Sequence, residues 1–276
     1  MSPSDLVILG INDSHDASAC ILEGGHLSAA ISEERIQRVK SAGGFPLHAI
    51  QACLKKTGLE KSDVDFVVFG NRHVSPTNLH NYFPSLSVFD HIKVQTEYWG
   101  PVIYEGADPK LADVLPGFQR AGEDVYPLED VPFAENRELS AEQKDAIDEM
   151  RFTFAADWFG LPRDKIHAVD HHTAHAYFGY YANPLRHDGR DILALTSDAG
   201  GDGAYESVSV FRDGRHELLH QGRTNLIASI YSSITMLLGM KPNEHEYKVM
   251  GLAAYTPEYH KAGPRELFLD ALRVDG

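Results

Sequence analysis

Residues 191–221, DILALTSDAGGDGAYESVSVFRDGRHELLHQ, set the architecture. A β-rich run from Ile192 to Thr196 enters a polar, glycine-rich tip at Asp198 to Gly203. A second strand, Ala204 to Phe211, reaches an Asp213-Gly214 turn, and a third, His216 to Gln221, precedes a helix near Leu226 to Leu238. The amino terminus has the same grammar. Strand Leu6 to Ile11 leads to a polar tip at Asn12 to Asp16, then strand Ala17 to Leu22, a Gly24-Gly25 turn and strand His26 to Ser32. Phe45-Pro46 then opens a helix with Leu47, Ile50 and Leu54 on its apolar face and Gly58 at its end.

Two strand-tip-strand-turn-strand-helix units, alike in pattern and not in identity, predict an α/β chain of the actin-like kind. That is a duplicated β-β-β-α-β-α fold, expected to be incomplete at its carboxy end, with two tip loops facing one another across a phosphate-binding cleft. Between the units lie a strand at Asp65 to Phe69 and, from about Asn71 to Asp130, a stretch of prolines, aromatics and acids with no sustained period, which reads as an irregular insertion with short helices. Ser140 and Gln143 form a capping box before the stripe Ile147, Met150, Phe154 and Trp158, ending near Gly160. Strand Ile166 to Val169 then runs into His171, His172 and His175, with helical composition through Tyr181.

The 276 residues, 43% of them hydrophobic, suffice for one large domain or two modest ones. A net charge of −15 disfavours nonspecific contact with nucleic acid or anionic membrane as a bulk effect. The start lacks a basic flank before a sustained apolar run, so neither signal peptide nor membrane span is expected. Cys20 and Cys53 have no metal-ligand or redox spacing, and a reduced cytoplasmic home is the simplest inference.

His171 and His175, four apart on a helix, share one face and can reach one ion. Two histidines as caps or satisfied core residues are the plainer alternative, but three histidines in five residues weigh against it. No glutamate lies between the outer pair, unlike the H-E-x-x-H of zinc peptidases. Asp198 and Asp202 in the second tip are the nearest acids with plausible geometry, Asp198 preferred as third ligand. Gly200, Gly201, Asp202 and Gly203 suit close approach of backbone to phosphate, although a simple glycine-rich turn would look similar. His15 followed by Asp16 offers an imidazole and a carboxylate at a strand end, either a general base or a surface turn. The charged stretch Glu33 to Arg38 reads as a solvated face, with Lys40 after it able to reach a phosphate. Glu244 to Tyr255, which includes Lys248, reads as a nucleotide-contacting helix start or an ordinary amphipathic helix.

Five segments in register, GINDSHDASACIL from Gly10, EERIQRVKSAGGFP from Glu33, VDHHTAHAYFGYY from Val169, LTSDAGGDG from Leu195 and EYKVMGLAAY from Glu246, resemble the NodU/CmcH carbamoyltransferase family. That resemblance spans nearly the whole chain. It implies a domain related to the tRNA threonylcarbamoyl transferases that moves a carbamoyl group from carbamoyl adenylate to a hydroxyl of a small molecule such as an antibiotic or other natural product. A carboxy-terminal YrdC-like domain, absent from residues 1–276, would make that adenylate from carbamoyl phosphate and ATP. It further implies His171 and His175 as metal ligands with Asp198 as another, and a divalent ion: Fe2+ first, Zn2+ or Mn2+ as substitutes. His15, paired with Asp16, would be the catalytic histidine, and Lys40, Asn243 and Lys248 phosphate or adenylate contacts. Family members continue past the position of Gly276 and carry a late aspartate ligand there, so a truncated fragment, or a separate polypeptide that completes the site, is expected. Two rivals stand beside this: a sugar-kinase-like ATPase, whose chemistry does not require the histidine pair, and a noncatalytic module that binds metal or nucleotide.

Overall fold

The computed structural model describes residues 5–129, 131, 139–223 and 227–271. Strands β1 (Val7–Asn12), β2 (Ser18–Glu23) and β3 (His26–Ser32) form an antiparallel meander. Helix α1 (Leu47–Thr57) follows, then β4 (Phe66–Phe69), helix α2 (Ala141–Phe159) and β5 (Ile166–Ala168). The sheet order is β3-β2-β1-β4-β5, with β4 parallel to β1 and β5 parallel to β4. After helix α3 (His171–Ala182), strands β6 (Ile192–Gly201), β7 (Ala204–Arg212) and β8 (Arg215–Gly222) repeat the antiparallel meander as a second sheet, followed by α4 (Ile227–Leu237), α5 (Glu246–Ala253) and α6 (Ala262–Ala271). A five-stranded sheet of this order followed by a second meander-plus-helix unit is the mixed α/β, actin-like arrangement.

Period-two alternation explains the first sheet. Leu9 and Ile11 of β1 pair with Ile21 and Ala19 of β2, and all four are buried on one face with Val67 and Phe69 of β4. Against that face α1 brings Ala49, Ile50, Cys53 and Leu54, and α2 brings Ile147, Ala155, Ala156 and Phe159. Each fully buried Leu, Ile or Phe stabilises by about 1.5–3 kcal/mol. Phe45 closes the edge of this core with edge-to-face contacts to Tyr126, Phe154 and Trp158, and the Lys61 ammonium lies 3.2 Å from the centre of the Trp158 ring. On the opposite face a Cβ at Gly10 would stand 2.7 Å from Cys20 Sγ, so that position takes no larger residue without moving the cysteine.

The insertion contains short helical segments: Pro76–Leu79, Tyr82–Ser85, Val88–Lys93, Leu111–Val114 and two π-helical turns at Val94–Trp99 and Pro101–Glu105. It has its own apolar cluster of Tyr82, Leu86, Val94, Tyr98, Leu111, Val114 and Leu115. The expected ends at Asp130 and Leu226, and residues 272–276 of the terminal stretch, lie outside the described residues.

The capping box of Ser140 and Gln143 and the Gly160 end of α2 are present, and the stripe Ile147, Met150, Phe154 and Trp158 packs on the main core, Ile147 buried and the other three partly covered. The inward side of the helix also carries Asp148 and Arg151, to which the apolar pattern does not point. One expectation needs correction. Glu33 is not solvated: it is fully buried, and its carboxylate accepts from the backbone N–H of His48 (3.2 Å) and Ala49 (2.7 Å), satisfying orphan donors at the start of α1. Among the described residues no helix is long and apolar enough to cross a membrane.

Candidate metal centre

Helix α3 begins where β5 ends. Asp170 serves as its N-cap, accepting from the Thr173 N–H at 2.9 Å, which fixes the first turn and the direction of His171. Four residues on, His175 stands over the same face, and the two Nε2 atoms are 3.1 Å apart. Asp198 comes from β6, whose alternation turns Thr196 and Asp198 toward α3. Thr196 Oγ1 meets His172 Nδ1 at 2.7 Å, and Asp198 Oδ2 lies 2.6 Å from His171 Nε2 and 3.6 Å from His175 Nε2. His172 is fully buried and serves this helix–strand contact.

The three groups fit a divalent ion. One donor atom from each lies within 4.8 Å of the others, and the set is two imidazoles and a carboxylate. Ligand atoms about 2.0–2.1 Å from a tetrahedral ion sit roughly 3.3 Å apart, inside the 2.6–3.6 Å spread of these donor atoms. The hydrogen bond with His171, with the His175 ring close by, holds the Asp198 carboxyl well below the usual carboxylate range, and the Asp198 side chain in turn raises His175 against the opposing effect of burial. This is an electron-rich pocket that a cation would neutralise.

The rest of the second tip is occupied by protein. A Cβ on Gly201 would lie 2.2 Å from His171 Cγ, so this glycine makes room for the imidazole. Asp202, at φ 49°, accepts from the N–H groups of Arg72 (2.9 Å), His73 (2.6 Å) and His171 (2.7 Å). Its carboxylate therefore clamps the loop after β4 to the start of α3. Gly200 and Gly203 have φ of 133° and 81°, as a tight turn requires.

In the first tip, the Asn12 side chain donates to the carbonyls of His15 and Asp16, both at 3.1 Å, and Asp16 adopts φ 56°. His15 Nδ1 is 2.9 Å from Asp16 Oδ2. That hydrogen bond, and more weakly the charges of Asp16 and Asp198, raise the His15 pKa against the opposing effect of burial. The two tips thus sense one another electrostatically. Lys40 is exposed, 3.9 Å from Glu34. Asn243 donates its backbone N–H to Glu246 at 2.7 Å, and exposed Lys248 lies near the Tyr247 ring. Among the described residues, no hydrogen bond or ion pair joins Lys40, Asn243 or Lys248 to the histidine–aspartate group.

Sequence reasoning missed the support beneath both tips. Asp13 and Arg151 are fully buried and joined by two hydrogen bonds of 2.7 and 2.9 Å, and the Tyr126 hydroxyl donates to Asp13 at 2.7 Å. A cleft of about 520 Å3 lined by residues including Arg72, His73, Asp148, Phe152 and Arg163 borders this support and contains none of the candidate ligands.

The family model for the carbamoyltransferase N-terminus matches residues 7–87 and 139–262. An uncharacterised protein of Synechocystis is 26% identical over 257 residues, covering 91% of this chain and 35% of that one. An uncharacterised protein of Methanocaldococcus jannaschii is 25% identical, covering 91% and 34%. The nodulation protein NolNO of Sinorhizobium fredii is 25% identical, covering 87% and 28%. The chain thus spans about a third of the length of these curated relatives. YeaZ from Pseudomonas aeruginosa superposes with a TM-score of 0.33 at 12% identity, covering 78% of this chain and 65% of that one. With the family model matched on both sides of the insertion, the chain belongs to the carbamoyltransferase N-terminus family.

Proposed function

We propose that this chain is the transferring part of an O-carbamoyltransferase, which moves a carbamoyl group from carbamoyl adenylate to a small-molecule hydroxyl. The observation that carries the reading is the convergence of His171, His175 and Asp198 into one donor set within electrostatic reach of His15. An ion held by those three residues, Fe2+ first and Zn2+ or Mn2+ as substitutes, would polarise phosphate or carbonyl oxygens of the adenylate.

His15 supplies the proton acceptor. With Asp16 accepting from Nδ1–H, the lone pair sits on Nε2 and is available to an acceptor hydroxyl. The hydroxyl oxygen bonds to the carbamoyl carbon, the bond from that carbon to the adenylate phosphate oxygen breaks, AMP leaves with the electron pair, and the hydroxyl proton passes to His15. Synthesis of the adenylate from carbamoyl phosphate and ATP would fall to a YrdC-like part outside these residues. The kinase-like alternative wants an open phosphate loop at Gly200 to Gly203, whereas Gly201 is filled by an imidazole and Asp202 is engaged by three backbone amides.

Elemental analysis of the purified chain beside a His171→Ala, His175→Ala variant tests the centre. Near-stoichiometric iron, zinc or manganese that the variant loses supports it, and equally negligible metal in both sinks it. His15→Asn, assayed with carbamoyl adenylate, is expected to abolish transfer while leaving metal content intact. Loss of metal on that change would make His15 part of the metal centre and not the proton acceptor.

A further inference from the structure

Arg151 has five N–H donors, and the structure uses all of them. Nε and Nη2 hold Asp13 Oδ2 and Oδ1 at 2.7 and 2.9 Å, and Nη2 also donates to Asn71 Oδ1 at 2.6 Å. Nη1 donates to Asp148 Oδ1 and to the Arg72 carbonyl, both at 2.8 Å. No part of the side chain reaches solvent. The partners separate into two arms.

One arm runs to the first tip. Asp13 lies within that loop, and Asn71 donates to Asn12 Oδ1 at 3.3 Å, the same oxygen that accepts from the Ser14 N–H at 3.2 Å. The Asn12 amide in turn holds the carbonyls of His15 and Asp16. The other arm runs to the second tip. The peptide whose carbonyl Arg151 holds belongs to Arg72, and the N–H groups of Arg72 and His73 bind Asp202, which also holds the His171 N–H at 2.7 Å. One guanidinium, 138 positions from Asp13 in sequence, therefore touches the support of both loops and none of the reacting groups.

We infer that Arg151 is a positioning residue that sets the two tip loops in a common register, so that His15 and the His171–Asp198 pair address the same substrate. This deepens, and rests on, the reading of those residues as one site. A buried ion pair that was only local would be replaceable, as a pair, by well-packed apolar residues. A planar fork with five donors spread over two loops is not replaceable even by lysine, whose ammonium has three donors and cannot span both arms.

Amide hydrogen exchange on the wild-type chain and on Arg151→Lys tests the inference without needing activity. Protection is expected to fall about ten- to hundredfold, the weight of one or two lost charge-assisted hydrogen bonds. It should fall together at Ser14 of the first loop, at Gly44, whose N–H donates to the Asp13 carbonyl at 3.1 Å, and at Arg72, His73 and His171, with the β1–β2 and β1–β4 ladders unchanged. Ile50→Ala, a core change away from the network, should instead lower protection across the first sheet. If Arg151→Lys does not fold, Tyr126→Phe decides, because it removes only the hydrogen bond to Asp13. A smaller fall in both loops supports the coupling. Loosening confined to one loop, spread evenly over the chain, or absent overturns it. Cobalt(II) absorption of the same proteins separates the two ideas: a weakened or altered spectrum in Arg151→Lys extends the coupling to the metal ligands, and a wild-type spectrum there overturns that extension. A wild-type chain that takes no cobalt, with exchange as expected, removes the metal centre and leaves the loop coupling standing.

Discussion

Each tip loop carries two aspartates and divides them the same way. In the first, Asp13 is sunk in the core while Asp16 stays outside, paired with His15. In the second, Asp202 is tied to backbone amides while Asp198 faces the histidines. The means of anchoring differ. Asp13 is held by side chains, a fully buried guanidinium and a phenol, and Asp202 by three peptide N–H groups at a half-exposed position. A side-chain anchor is strong but depends on residues that can mutate, whereas a backbone anchor depends only on the acid itself.

That contrast can be broken by stability measurements. Asp13→Ala leaves the Arg151 charge buried without its main partner, and urea unfolding should show a loss of about 3–5 kcal/mol. Asp202→Ala leaves backbone amides that water can partly reach, and the same measurement should show a loss on the order of 1–3 kcal/mol. Equal costs would mean that burial of the first anchor matters less than its hydrogen bonds. Gly201→Ala forces the His171 ring aside, and metal titration should show affinity falling about 10–100-fold with little change in melting temperature.

A smaller, directional effect concerns pH. His15 has a pKa raised first by its hydrogen bond with Asp16, and the proposed transfer needs its neutral form. The rate should therefore climb with pH through a value above 6.5, the ordinary histidine figure. Asp16→Asn should move that midpoint down while reducing the maximal rate, as a pH–rate profile would show. An unchanged midpoint would detach Asp16 from His15.

The repeated meanders were legible because period-two alternation and the Gly24-Gly25 and Asp213-Gly214 turns are local signals. The grouping of His171 and His175 was legible too, since i, i+4 spacing on a helix is geometry written in sequence. The anchors were not. Asp13 and Arg151 meet across 138 positions, and nothing in either neighbourhood announces the other. Asp148 and Arg151, three apart on α2, were open to being read as an inward-facing pair, but charged side chains read by habit as solvent-facing. Glu33 escaped for the same reason. Gly201 and Asp202 carried a true signal of close approach, but what approaches is an imidazole and three amides of the chain itself.

The separate apolar clusters have a practical consequence for spectroscopy. Of the two tryptophans, Trp158 packs on Phe45 beneath the Lys61 ammonium at the edge of the main core, and Trp99 sits 39% exposed beside Tyr98 in the insertion. Their fluorescence should report on two different regions of structure, one emitter beside a cation and the other partly open to solvent. Replacing either with phenylalanine turns the chain into a single-colour probe of whether the insertion loosens before the sheet that carries the tip loops.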